Sequence, residues 1–213
     1  MKNAIKPNRR IFLKGSAILT AGLASAPIMS WAEEPLQQQD GLYLVGPQKG
    51  YSPHVGALLS TMTVMRTWVI DTVKDLTVEQ LDFQIDDQSN SIGAMLMHLA
   101  ATERYYQLNT FEEMEWGSWS DEIKKEWDVP MTLGKEAKEQ ILGNRIDYYL
   151  DQLEKVREVT KQEFAKRDDE WIMKSEPFFG NQPTNNYCKW FHVCEHESNH
   201  RGQMKFVIKR LPA

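Results

Sequence analysis

Apolar positions along the chain recur at intervals of three and four over four long stretches, the spacing of amphipathic helices. The first stretch opens at Ser52-Pro53, a capping residue with proline at the first helical position. Its stripe is Val55, Leu58, Leu59, Met62, Met65, Val69, Val73 and Leu76. The second follows Ser91, places Ile92, Met95, Leu96, Leu99 and Tyr106 on one face, and ends near Phe111. The third is predicted over about residues 135–168, with Leu142, Ile146, Tyr149, Leu150, Leu153, Val156, Thr160 and Phe164 as its apolar face. The fourth runs over about residues 186–210 and is stopped by Pro212. No stretch alternates with period two for long enough to predict a sheet. Four such helices predict an all-α fold, a four-helix bundle forming one domain over residues 51–213, with residues 33–50 as an extended lead-in. Two connections are long and aromatic: 112–134 with Trp116, Trp119 and Trp127, and 171–187 with Phe178 and Phe179. Such loops form either a lid or satellite packing on the core.

Residues 1–32 depart from this pattern. They hold Lys2, Lys6, Arg9, Arg10 and Lys14 with no acidic residue, then an apolar run softened by Gly15, Ser16, Thr20, Gly22 and Ser25. The run falls short of the roughly 20 strongly apolar residues of a membrane span. A basic region, a short apolar region and the small-x-small site Ser30-Trp31-Ala32 instead predict a cleavable export signal, with Glu33 as the mature start. Arg9-Arg10 followed by Phe12-Leu13-Lys14 resembles the twin-arginine signal, which implies periplasmic or other export of a folded protein from a bacterium. No membrane span is expected after cleavage. The whole chain has a formal charge of −5, but residues 33–213 alone carry about −10. That acidity, without a basic run, argues against nucleic acid as a partner. A small-molecule substrate is the expected partner, with a second copy of the chain as the other candidate.

Five histidines lie downstream of the leader: His54, His98, His192, His196 and His200. His196 and His200, four residues apart on the fourth helix, differ by about 40° in azimuth and stack one turn apart, so both imidazoles can reach one ion. With Trp190 set at 0°, they fall at about 240° and 280°, beside Val193, Met204 and Val207 at about 300°, 320° and 260°. His98 stands at the margin of the second helix's apolar face, where a bundle helix offers ligands to the space between neighbours. A pair from one helix and a third nitrogen from another suit a catalytic metal site with open positions. The same spacing also occurs in histidines that are merely exposed or hydrogen-bonded.

The strings Ser91-Ile92-Gly93 to Met97-His98-Leu99-Ala100-Ala101-Thr102-Glu103-Arg104-Tyr105 and His196-Glu197-Ser198-Asn199-His200-Arg201-Gly202-Gln203 together resemble the DinB-like/YfiT-like superfamily. The resemblance covers nearly all of residues 33–213. It implies an up-down-down-up bundle and a divalent metal held by His98, His196 and His200. Imidazoles suit zinc, nickel and iron, and copper as well. His54 matches no ligand position and reads as a helix-start residue, while His192 reads as a neighbour of the site.

Glu103 and Glu197 both point into apolar stripes and need partners there. Arg201 is available to Glu197 at i+4. Alternatively, either glutamate, or Gln203 on the histidine side, orients a ligand imidazole. Gly202 predicts a close helix approach. Cys188 and Cys194 would face an oxidising compartment, but six residues of helix rise about 9 Å, beyond the roughly 7 Å limit for a disulfide. Three neutral imidazoles leave an ion's charge uncompensated, so that it acidifies a bound water or thiol. The expected activity is therefore hydrolysis or thiol transfer on a small molecule. The resemblance brings thiol-dependent transferases as precedent, although exported proteins meet few of the low-molecular-weight thiols of the cytoplasm. The alternative is a bundle that binds metal or a small ligand without catalysis.

Overall fold

In the computed structural model, residues 41–212 are described; the expected export signal and its expected cleavage site lie outside them. Eight helices and one hairpin follow in order: α1 (Pro53–Val73), α2 (Val78–Asp82), α3 (Ile92–Thr110), α4 (Asp121–Thr132), α5 (Gly134–Gln140), α6 (Ile146–Phe164), α7 (Asp169–Met173), β1 (Ser175–Pro177), β2 (Pro183–Asn185) and α8 (Asn186–Ile208). The four long helices, α1, α3, α6 and α8, are the expected bundle. Their contacts also give its directions. Gly93 meets Tyr149 and Glu103 meets Arg157, so α3 and α6 run parallel. His98 faces His196 while Thr110 faces Trp190, so α3 and α8 run antiparallel. Arg66 reaches both Leu153 and Glu197, joining α1 to α6 and α8. The arrangement is up-down-down-up. No helix among the described residues is long and apolar enough to cross a membrane.

Side-chain caps fix where the helices start. Ser91 Oγ accepts from Ala94 N–H at 3.2 Å and Asn185 Oδ1 accepts from Cys188 N–H at 2.8 Å, each satisfying an otherwise orphaned amide. Three sequence expectations need correction. The third long helix begins at Ile146, not near residue 135, because Leu133, Gly134 and Gly143 take positive φ of 58°, 74° and 76° and break the chain into separate pieces. Leu142, assigned to its apolar face, is consequently exposed. The 112–134 connection contains α4, capped by Ser120, and the 171–187 connection contains α7 and a two-stranded antiparallel hairpin pairing Glu176 with Thr184. Trp119 and Trp127 pack into the core, whereas Trp116, Phe178 and Phe179 line a cavity, so these loops serve both packing and site.

The apolar core divides into two clusters, one around Val69, Met95, Leu96 and Leu153, the other around Leu58, Met62, Phe164 and Trp190. Between them lies a charged layer with one residue from each long helix: Arg66, Glu103, Arg157 and Glu197, all at most 5% exposed. Arg157 donates to Glu103 at 2.8 and 3.2 Å and to Glu197 at 2.9 Å. Arg66 donates to Glu103 at 2.7 Å, to Glu197 at 2.6 and 3.0 Å, and to the Leu153 carbonyl at 2.7 Å. Two cations and two anions cancel, which is what burial of charge demands. Burial alone would raise the Glu103 pKa, but Arg157 and Arg66, with the Thr160 hydroxyl, hold it at about 2.

Candidate metal centre

His98 on α3 and His196 and His200 on α8 come together as the spacing and the resemblance implied. Each offers a ring nitrogen, and the three nitrogens lie within 4.8 Å of one another. His98 Nε2 is 2.8 Å from His196 Nε2, which is 3.2 Å from His200 Nε2. These two spacings are less than twice a zinc–nitrogen bond of about 2.0–2.1 Å, so one ion reaches across each pair. Burial and then the charges of its histidine neighbours push the His196 pKa down to about 3. Burial and then His98 push His200 down to about 4. His98 is lowered as well, chiefly by burial. All three are therefore neutral near pH 7, the form that ligates metal.

The end of α4 orients His98. Its last helical hydrogen bond runs from Leu133 N–H to the Val129 carbonyl, and Gly134 N–H turns away to Asn90 Oδ1 at 3.2 Å. This frees the Pro130 carbonyl, which accepts from His98 Nδ1 at 3.0 Å. With the proton on Nδ1, Nε2 presents its lone pair to the cluster. A neutral His196 with its proton on Nε2 donates to that lone pair at 2.8 Å, and with its proton on Nδ1 it offers a second lone pair with which the two rings could hold an ion. Pro130 is the functional residue that sequence reasoning missed, since nothing in the 112–134 stretch marks a backbone carbonyl as a partner for a histidine 32 residues earlier.

The remaining candidates are placed differently from the expectation. Glu103 and Glu197 do not bond to an imidazole; both belong to the charged layer. Arg201 does not pair with Glu197 but lies 5.0 Å over the Trp68 ring. Gln203 donates to Asn199 Oδ1 at 3.0 Å, and although it sits close enough to raise the proton affinity of His200, His200 Nδ1 has no hydrogen-bond partner. Gly202 is exposed, and a Cβ there would meet nothing within 4 Å; the close approach is instead at Gly93, where a Cβ would lie 2.5 Å from the Tyr149 hydroxyl. His54 binds Asp169 at 2.8 Å at the start of α1. His192 binds Glu195 at 2.9 Å, with its ring 5.2 Å from that of His196. Both cysteines are free, and burial, followed by Glu197, raises the Cys194 thiol pKa to about 11, which makes it unreactive.

The model of the mycothiol S-transferase family matches residues 57–210, which includes all three histidines, α3, α6 and α8 entire, and α1 from its second turn onward. The chain belongs to the mycothiol S-transferase family. That family is part of the DinB/YfiT-like superfamily that the two histidine strings resemble. Among solved structures, a conserved protein from Enterococcus faecalis is similar to this chain, with a TM-score of 0.52, 14% identity, and coverage of 70% of this chain and 92% of that one. At that identity the likeness concerns the fold alone. No curated protein matches.

Proposed function

We propose that the protein is an exported, metal-dependent S-transferase that joins a low-molecular-weight thiol to a small electrophile. The observation that carries this reading is the His98–His196–His200 cluster, neutral and oriented by the Pro130 carbonyl, in a chain of the mycothiol S-transferase family. His98, His196 and His200 would hold a divalent ion, which would supply Lewis acidity that lowers the pKa of a thiol and populates its nucleophilic thiolate form near neutral pH. The donors carry no negative charge, which preserves the ion's full effect on the thiol. Pro130 keeps the His98 proton on Nδ1, away from the cluster, throughout. The charged layer sets the rotation of α8 through Glu197, one residue from His196, and so holds two of the three nitrogens in place.

The same donor set serves metal-assisted hydrolysis, but the family match favours the thiol. The test uses protein purified without affinity-tag metals, with its metal removed and then restored. Consumption of cysteine or cysteamine with an activated aryl halide is followed with and without Zn²⁺. Thiol transfer that depends on metal and is lost in His98→Ala supports the proposal. Metal binding without acceleration of thiol transfer for any thiol supplied would favour a non-catalytic binding bundle. Export is tested separately: Arg9→Lys with Arg10→Lys should retain the protein in the cytoplasm, and continued export would count against the twin-arginine route.

A further inference from the structure

A cavity of about 880 Å³ opens between the end of α3, the loop after it and the hairpin. Tyr106, Trp116, Phe178 and Phe179 supply aromatic walls, and Glu113, Glu115 and Glu176 supply carboxylates. Its Phe179 ring lies 5.4 Å from His192, which in turn lies 5.2 Å from His196, so the cavity sits about one helical turn from the imidazole cluster. We propose that this cavity binds an organic ammonium ion, a small ligand carrying a primary or quaternary ammonium group.

Three features of the lining select that charge and shape. The first is the aromatic surface. The Tyr106 and Trp116 centroids are 5.1 Å apart, Trp116 and Phe178 5.4 Å, and Phe178 and Phe179 5.0 Å, with interplanar angles of 57° to 79° that turn ring faces and edges around one space. Ring faces attract cations, and most strongly where water is excluded. The fold already makes this contact: Lys189, fully buried beneath the cavity, holds its Nζ 4.3 Å from the Phe178 centroid.

The second is charge. Lys174 is the one ammonium group in the lining and binds Glu113 at 2.8 Å, and Lys189 binds Glu176. Glu115 has no ion pair among the described residues, so the wall keeps a negative charge.

The third is hydrogen bonding. Asn109 donates to the Met114 carbonyl at 2.9 Å, Asn186 to the Trp171 carbonyl at 3.0 Å, and Thr110 to the Tyr106 carbonyl at 2.6 Å. The side-chain amides of Asn109 and Asn186 and the Thr110 hydroxyl thus each donate within the protein, while the Glu115 carboxylate has no ion-pair partner among the described residues. Tyr106, 3% exposed, lines the cavity with a hydroxyl that makes no hydrogen bond to a described residue. An anion would meet the repulsion of Glu115, and a neutral apolar ligand would strip water from carboxylates without compensating them.

The proposal concerns the cavity alone and is read by binding, so it stands or falls separately from thiol transfer. Choline, its uncharged isostere 3,3-dimethylbutan-1-ol and the anion 3,3-dimethylbutanoate are titrated into the full chain by calorimetry. Choline should saturate one site and bind at least about tenfold more tightly than the isostere, with no uptake of the anion. Trp116→Ala, Phe179→Leu and Glu115→Gln alter exposed side chains, so the fold should persist by circular dichroism while choline binding weakens at least about threefold in each. Equal binding of the uncharged isostere, preferential binding of the anion, no saturation by choline, or choline binding unchanged in all three variants would overturn the proposal.

Discussion

Arg157→Met tests whether the charged layer maintains the geometry of the bundle. The guanidinium makes three hydrogen bonds to two carboxylates that are 0% and 1% exposed, and its own pKa is raised by Glu103 and Glu197 against the effect of burial. Without it, Glu103 and Glu197 share Arg66 alone and one negative charge is left uncompensated in the core. Removing one partner of a buried ion pair costs about 3–5 kcal/mol, a large part of the roughly 5–15 kcal/mol that holds a domain folded. With a urea slope of about 2 kcal/mol/M, the unfolding midpoint should fall by roughly 2 M.

Adding Glu103→Gln removes the surplus charge while keeping an acceptor for Thr160, so the double variant should recover at least about 1 kcal/mol relative to Arg157→Met. The pH dependence has a definite sign. In Arg157→Met, loss of the cation raises the folded pKa of Glu103, so the folded state takes up a proton that the unfolded chain does not. The deficit relative to the unaltered protein should therefore be smaller at pH 5 than at pH 8. A loss below about 1 kcal/mol, or simple additivity in the double variant, would refute the reasoning.

The two glycines give opposite expectations. Gly93→Ala forces a methyl group to 2.5 Å from the Tyr149 hydroxyl and should destabilise by about 1–3 kcal/mol, while Gly202→Ala, with nothing within 4 Å in an exposed helix interior, should stabilise by about 0.5–1 kcal/mol; urea midpoints of both variants check this. In acid, the folded pKa values of His196 and His200, about 3 and 4, lie below the ordinary 6.5, so between pH 6.5 and 3 the unfolded chain binds more protons. Stability of the metal-free protein should fall as pH drops through that window, and the slope should lessen when both histidines are changed to Ala.

The long helices were legible because a stripe of apolar residues carries its own period, and Ser52, Ser91 and Pro212 marked their limits. The histidine cluster was legible because two of its members share a helix at i, i+4, and the string around His98 supplied the third. What escaped depends on partners distant in sequence. Arg66 is the one cation of its helix and Arg157 stands between Lys155 and Lys161 in its own, and nothing local distinguishes a buried cation from a solvated one. Arg201 stood at the standard spacing from Glu197, yet it stacks on Trp68 because Glu197 turns inward to two arginines from other helices. The α4 helix was obscured by Pro130 and by a sparse apolar stripe, although Ser120 followed by Asp121 and Glu122 was a start signal. Gly143 within the expected third helix was the visible mark of its break.

The most direct test of the metal centre is metal content per chain, measured by elemental analysis after apoprotein is loaded with Zn²⁺ and exhaustively dialysed. The geometry predicts one ion per chain in the unaltered protein and loss of that ion in each of His98→Ala, His196→Ala and His200→Ala, with His54→Ala unchanged. A full equivalent of zinc retained by all three cluster variants would contradict the assignment.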